Sequence, residues 1–409
     1  MKFKSLFSPR KFIIWLFIIV LIITIPEITK PAMSETEAIV VMMSIDKVDE
    51  NIKVATAVLT PTTDKKSNYE VFIGEGSSVG EAVESVSLSL GKSIGFAQCE
   101  IMAFGENISK DGIISSLDYL TRTRKVGRNA LLINFSGEVE KFQQAAVNLN
   151  IEKSLPLEDI LNFDQRYIPT ENSNIHSFYK GYFSEISIGI MPKIQLLTEN
   201  KENSIEIDSG ATGGGTSTEP GSGSGGNKKE YILNDGTVCV FKQGKKAIEF
   251  TPENMKKLNL LSNNKQEGTL RVDNVNDYLY KNVNVVLNIT DKSLSFSPKF
   301  KEGKPVMEIG IDLTVMVEEV DDNSPNKLFL KRNKEFLTPT LVNKTKETVK
   351  QRAMEIIDFC KENKTDVIGV YENFYRKEYK QFKKYYNQTQ EKYLDGIEYV
   401  ISVKVSSTY

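Results

Sequence analysis

The chain has 409 residues, 40% apolar and 26% charged, which excludes a collagen-like, wholly disordered or multi-span membrane protein. At about 150 residues per domain, this length predicts two or three domains whose cores need no disulfide or metal staple. Fifty-two basic and 54 acidic residues leave a net charge of −2, so no bulk charge draws the chain to nucleic acid. The single histidine, His176, disfavours zinc sites, Ser-His or Cys-His nucleophile pairs and most proton shuttles. Cys99, Cys239 and Cys360 have neither ligand spacing nor an even count, and each is expected to be a buried apolar residue.

Lys2, Lys4, Arg10 and Lys11 precede an apolar run from Phe12 to Ile25, the charge order that keeps the amino end inside and exports the remainder. Residues 1–34 therefore read as a signal peptide or an uncleaved anchor. The residues expected in the bilayer are Phe12, Ile13, Ile14, Trp15, Leu16, Phe17, Ile18, Ile19, Val20, Leu21, Ile22 and Ile23. The run is shorter than the roughly 17 to 25 residues of a usual spanning helix.

From residue 36 to 199 the pattern predicts one mixed α/β domain. Glu37–Asp46 and Asn51–Thr60 form a hairpin across Lys47–Glu50, and Tyr69–Ile73 is a third strand. A helix then carries Val79, Ala82, Val83, Val86 and Leu90. Strands Glu100–Phe104 and Asn129–Phe135 bracket a helix with Ile113, Leu117 and Leu120. Further helices are predicted at Val139–Leu149, Leu157–Phe163 and Ile175–Phe183. Residues 200–229 include a Gly/Ser/Thr-rich stretch, Gly210–Gly226, of linker composition.

The carboxy-terminal part, 230–409, divides into about 230–265 and 266–409. Asn234, Asp235 and Gly236 predict a hairpin turn between Tyr231–Leu233 and Thr237–Phe241. Strands follow at Tyr280–Ile289, Ser293–Phe300 and Glu308–Val317. Thr338 and Pro339 start a helix whose stripe is Val342, Thr345, Val349, Ala353, Ile356 and Cys360. A short strand Val367–Val370, a helix Glu372–Gln390 and an edge strand Ile397–Val405 complete the chain.

No motif carries a catalytic signature. Gly74, Gly76 and Gly80 miss dinucleotide spacing because position 79 is Val79, while Ser78 and Glu81 fit a helix capping box. Gly91, Lys92 and Ser93 lack the upstream glycine of a phosphate loop. The acidic run Glu318–Asn323 lacks the alternate spacing of a calcium loop. Arg122, Arg124 and Arg128 cluster with Lys125 near a helix end and are the candidate interaction residues. Arg376, Lys377, Lys380, Lys383 and Lys384 alternate with Tyr375, Tyr379, Phe382, Tyr385 and Tyr386, a pattern that suits a packed aromatic face with snorkelling lysines. The same pattern also suits bases or anionic headgroups.

Four collinear stretches, Ala38–Pro61, Lys92–Gly137, Gly236–Asn263 and Phe336–Val405, resemble the Ger(x)C family of spore germination proteins, the C subunits of nutrient germinant receptors. The resemblance implies an α+β, three-domain ectodomain on the outer face of the spore inner membrane. It implies a non-catalytic subunit working with two multi-span subunits, without cofactor, metal or nucleic acid, and with a nutrient bound at most indirectly. The family's lipobox cysteine has no counterpart before Cys99, and Tyr379 and Phe382 replace a late proline and tryptophan. The alternatives are an extracytoplasmic carboxylate-based cell-wall hydrolase and a solute-binding module.

Overall fold

The computed structural model describes residues 37–60, 68–153, 173–198, 230–262, 268–321 and 336–407. The apolar run from Phe12 to Ile25, the helix expected at Leu157–Phe163 and the Gly/Ser-rich stretch lie outside these residues. The class is mixed α+β, with two sheets.

The opening hairpin forms as expected. Strand β1 (Glu37–Val48) pairs antiparallel with β2 (Asn51–Thr60) across the two residues Asp49 and Glu50. β3 (Asn68–Gly76) extends the sheet beside β2, and helix α1 (Val79–Leu90) buries Val79, Ala82, Val83 and Val86. Two glycines permit this close approach. A Cβ on Gly74 would stand 2.1 Å from the Ala82 carbonyl oxygen, and one on Gly76 would stand 2.7 Å from the Ala82 nitrogen.

On the other side of β1 the strands become parallel. β4 (Ser93–Gly95) and β5 (Ile101–Phe104) lie parallel to β1, β6 (Leu131–Ser136) to β5, and β7 (Ile188–Thr198) to β6. The crossovers carry α2 (Glu106–Asp111), α3 (Ile114–Arg122), α4 (Val139–Lys153) and α5 (Ile175–Tyr182). β5 is buried at all four residues because both faces of the sheet are covered. Met102 and Phe104 join the core of α1, α3 and α5, whereas Ile101 and Ala103 join Phe142 and Ala146 of α4.

The far edge corrects the hairpin expected at Tyr231–Phe241. β8 (Glu230–Leu233) and β9 (Val238–Lys242) do not pair with each other. Both run antiparallel to β7, from Thr198↔Glu230 to Gln195↔Leu233 and from Pro192↔Val238 to Ile188↔Lys242. Asn234 Oδ1 accepts from the Gly236 N–H at 3.1 Å and Asp235 Oδ1 from the Thr237 N–H at 2.9 Å. These local bonds bend the chain without reversing it. The true hairpin joins β9 to β10 (Lys245–Phe250) through Gln243 and Gly244, both at positive φ, 52° and 76°. The resulting order is β10-β9-β7-β6-β5-β1-β2-β3, so strands from both sides of residues 199–229 share one sheet.

The second sheet has the order β11 (Gly268–Asn276), β12 (Lys281–Lys301), β13 (Lys304–Asp321), β14 (Glu398–Ser407), with β14 parallel to β13. The two strands expected between Tyr280 and Phe300 are the single strand β12, carrying a register shift between Ile289 and Asp291. Helices α6 (Pro252–Asn259), α7 (Pro339–Glu362), α8 (Val370–Lys377) and α9 (Tyr379–Thr389) pack into its core. Thr338 caps α7, accepting from the Leu341 N–H at 3.2 Å. Its buried stripe begins at Leu341, one residue before the expected Val342.

Val367–Val370 is not a strand. The buried Asp366 carboxylate accepts from the N–H groups of Val370 and Tyr371, at 2.8 and 2.6 Å, and so starts α8 there. The single helix expected at Glu372–Gln390 breaks at Glu378, where φ is −129°. The two units share apolar surface: Ile188, Val238, Val240 and Phe250 of the first sheet lie in the same cluster as the core of the second. Phe250 meets Phe359 of α7 edge-on at 5.1 Å.

Candidate functional site

A cleft of about 570 Å3 opens where the β1–β2 turn meets three helices. That volume suits a small molecule. Lys47, Glu50 and Ile52 come from the hairpin, Ser77, Ser78, Val79 and Gly80 from the start of α1, and Asp111, Ser115, Ser116 and Tyr119 from α2 and α3. The capping box shapes one wall: Ser78 Oγ accepts from the Glu81 N–H at 3.2 Å, and the Glu81 carboxylate accepts from the Ser77 N–H at 2.9 Å.

On the opposite side, Lys47 Nζ meets Asp111 Oδ2 at 2.7 Å, and this bond holds the Asp111 carboxyl below its usual range. Asp46, behind it, is buried and secures α2 by accepting from the Ile108 N–H at 2.9 Å. Burial raises the Asp46 pKa against the opposing pull of these N–H bonds. Gly105 makes room for that carboxylate, since a Cβ there would stand 2.2 Å from its carbon. The lining offers charges and hydroxyls to a small polar molecule. It places no histidine or cysteine beside its serines, so it holds no Ser-His or Cys-His nucleophile pair.

The second polar feature lies between α2 and the β7–β10 edge. Glu106 meets Lys246 at 2.6 Å and Lys193 at 3.0 Å, and Glu249 meets the same lysines at 2.6 and 2.7 Å. Lys246 also donates to Asn134 Oδ1 at 3.1 Å, and its side chain is only 7% exposed. Burial works to raise the Glu106 and Glu249 pKa values, but the two lysines outweigh it and lower both. For Lys193 burial pulls downward, and Glu249 and Glu106 reverse it to a net rise. Each charge is therefore held in its ionised form by a partner, which builds a clamp rather than an open reactive group.

Sequence reasoning missed this clamp. Its only visible trace was Lys193 within the mostly apolar stretch Ile188–Leu197, and that strand was itself hidden by Pro192.

The expected interaction residues are not gathered into a pocket. Arg122 pairs with Asp118 of its own helix at 3.1 Å. Arg124 Nε donates to the Tyr119 hydroxyl at 2.9 Å and so touches the cleft wall from behind. Arg128 is exposed, and its carbonyl accepts from the His176 N–H at 3.0 Å. His176 is itself exposed. Cys99, Cys239 and Cys360 are buried, and burial pushes each thiol up to about 12. Among the described residues no group of three or more His, Cys, Asp or Glu is placed to hold a metal.

On α8 and α9 the packing reading accounts for Phe374 and Phe382, both fully buried and stacked at 5.0 Å. It does not account for Tyr375 and Tyr379, which are 45% and 41% exposed.

Two family descriptions match the chain: Spore germination protein N-terminal domain over residues 34–196, and Spore germination B3/GerAC like, C-terminal, over residues 236–408. The chain belongs to the Ger(x)C spore germination family. The solved crystal structure of the GerBC protein is similar at 13% identity and a TM-score of 0.51, covering 90% of this chain and 97% of that one. That likeness is one of fold. No curated protein sequence matches the chain. In this Ger(x)C protein β9 and β10, which fall inside the second family match, complete the sheet of the first.

Proposed function

We propose that this chain is a non-catalytic C subunit of a spore germinant receptor, held at the extracytoplasmic face of the spore inner membrane beside two multi-span subunits. The observation that carries this reading is the collinear family match over both halves of the chain. The clamp supports it, because its four charged groups neutralise one another and fix the position of strands instead of presenting a nucleophile or acid. The run Phe12–Ile25 supplies the membrane address.

The reading is tested by affinity purification from detergent-solubilised spore membranes. Co-purification of two multi-span proteins is expected, together with loss of nutrient-triggered germination in spores lacking the chain. Recovery of the chain alone, together with normal germination of spores lacking it, would sink the reading.

The cleft favours a second reading, solute binding within the same subunit. Gly80→Trp, placed against Tyr119, should fill it. Unchanged nutrient sensitivity with that variant would leave the cleft without a role in germination.

A further inference from the structure

Helices α8 and α9 present an outward surface unlike the rest of the molecule. Between Val370 and Thr389 five cations, Arg376, Lys377, Lys380, Lys383 and Lys384, face two carboxylates, Glu372 and Glu378, in a chain whose net charge is −2. All five cations are exposed. Arg376 pairs with Glu372 and Lys383 donates to the Tyr379 hydroxyl at 3.0 Å. Lys380 and Lys384 have no hydrogen bond or ion pair among the described residues.

Between these cations a ladder of tyrosines climbs out of the core. Tyr386 meets Tyr371 at 4.9 Å, Tyr371 stacks on Tyr375 at 5.6 Å, and Tyr375 meets Tyr379 edge-on at 4.9 Å. Glu185 acts electrostatically on Tyr371, Tyr375, Tyr386 and Lys383, so one further carboxylate lies at the margin of this surface. Two of the five exposed aromatic residues among those described, Tyr375 and Tyr379, therefore share one face.

Exposed rings with a wet hydroxyl tip, ringed by long cations, are the composition of a headgroup-level surface, where tyrosine belts and basic side chains meet anionic lipid. A buried protein interface would instead be depleted in lysine.

We propose that the α8–α9 face is a docking surface for an anionic phospholipid bilayer. This rests on the reading that the chain is held at a membrane. The eleven residues between Ile25 and Glu37 reach at most roughly 40 Å, so the folded body stays near the bilayer and docking is an intramolecular event.

The test uses the full chain reconstituted into vesicles of phosphatidylcholine, alone or with phosphatidylglycerol. The native cysteines are buried, so a thiol-reactive, environment-sensitive fluorophore reports an introduced exposed cysteine. Gln381→Cys places it on the surface, and Leu88→Cys, exposed on α1, serves as the reference.

A blue shift and quenching by spin-labelled lipid are expected at position 381 only in the anionic vesicles. Lys380→Glu with Lys384→Glu should lower the docked fraction by roughly tenfold or more. Equal emission in both vesicles, an equal response at position 88, or no effect of the double charge reversal would overturn the proposal. If the full chain fails to insert, the anchoring reading falls, and the surface is judged by co-sedimentation with anionic vesicles. Binding lost in the double variant then supports it, and no binding overturns it.

Discussion

The two sheets solve the burial of polar groups in opposite ways. The first is covered on both faces, so any charge near it must find a partner inside the protein, and Glu106, Lys193, Lys246 and Glu249 do so as a set. The second has helices over one face and keeps its ion pairs in solvent: Lys299 and Lys301 with Glu308, and Lys404 with Asp312. The same residue types thus do different work. Inside, they are needed for the strands to sit where they do, while outside they add little.

The strongest challenge to this contrast is to ask whether the two units are separable at all. Phe250→Ala removes a fully buried ring from the shared cluster and should cost about 4 kcal/mol. Chemical unfolding followed by probes in both units should then shift in a single step. Two transitions, of which only one moves, would show that the apolar seam does not couple them.

Lys246→Ala should cost about 3 kcal/mol, because it leaves Glu106 and Glu249 with one lysine between them. A urea midpoint within error of wild type would mean that the clamp is ornamental.

Dependence on pH sharpens the contrast further. Glu106 and Glu249 titrate below 4.5 in the native state, so their contribution is present above that value and lost as acid protonates them. Lys193 titrates above 10.5, so its contribution is lost only in stronger alkali. Lys292 on β12 has the opposite sign. Burial drops it from 10.5 to about 8, with the Asn259 carbonyl as its hydrogen-bond acceptor. Between these values the unfolded chain binds more protons, so stability from this residue rises with pH from about 8 to 10.5. Lys292→Met should abolish that rise in thermal midpoint, and an unchanged slope would place its origin elsewhere.

The smallest effect belongs to the open face. Glu308→Ala should leave the urea midpoint within error of wild type even though the carboxylate meets two lysines. A midpoint drop as large as that of Lys246→Ala would erase the distinction between the two sheets.

How much of this was legible in the sequence follows from the same contrast. β-Branched-rich runs on either side of the polar turn Lys47–Glu50 drew the opening hairpin almost to the residue, and most of β12 and β13 showed because one face of each of those two strands is wetter than the other. β12 was split, since Thr290 and Asp291 at the bulge interrupt its alternation. Thr338–Pro339 and Ser78–Glu81 are local caps, and both were readable. β7 was not, because Pro192 sits in it, at the last residue paired with β9 and just before pairing with β6 begins on the other side. The bend at Asn234–Gly236 carried hairpin letters, and only the partner strand, far away in sequence, decides between bend and reversal. The clamp brings together residues from positions 106 to 249, and no local pattern encodes such a meeting. The tyrosines of α8 and α9 were visible as a pattern, but which of them face outward depends on the break at Glu378.

The pairing of Thr198 with Glu230 has a topological consequence. The chain leaves the first sheet and re-enters it at directly opposed residues, so the ends of the intervening stretch are held together by the sheet and not by the stretch itself. A single proteolytic nick between them should therefore yield two polypeptides that stay bound, each incomplete alone. The amino-terminal piece would lack β8, β9 and β10, while the carboxy-terminal piece would carry those three strands with no sheet to join. Separately expressed halves would then be expected to recover structure only when mixed, as a non-covalent heterodimer.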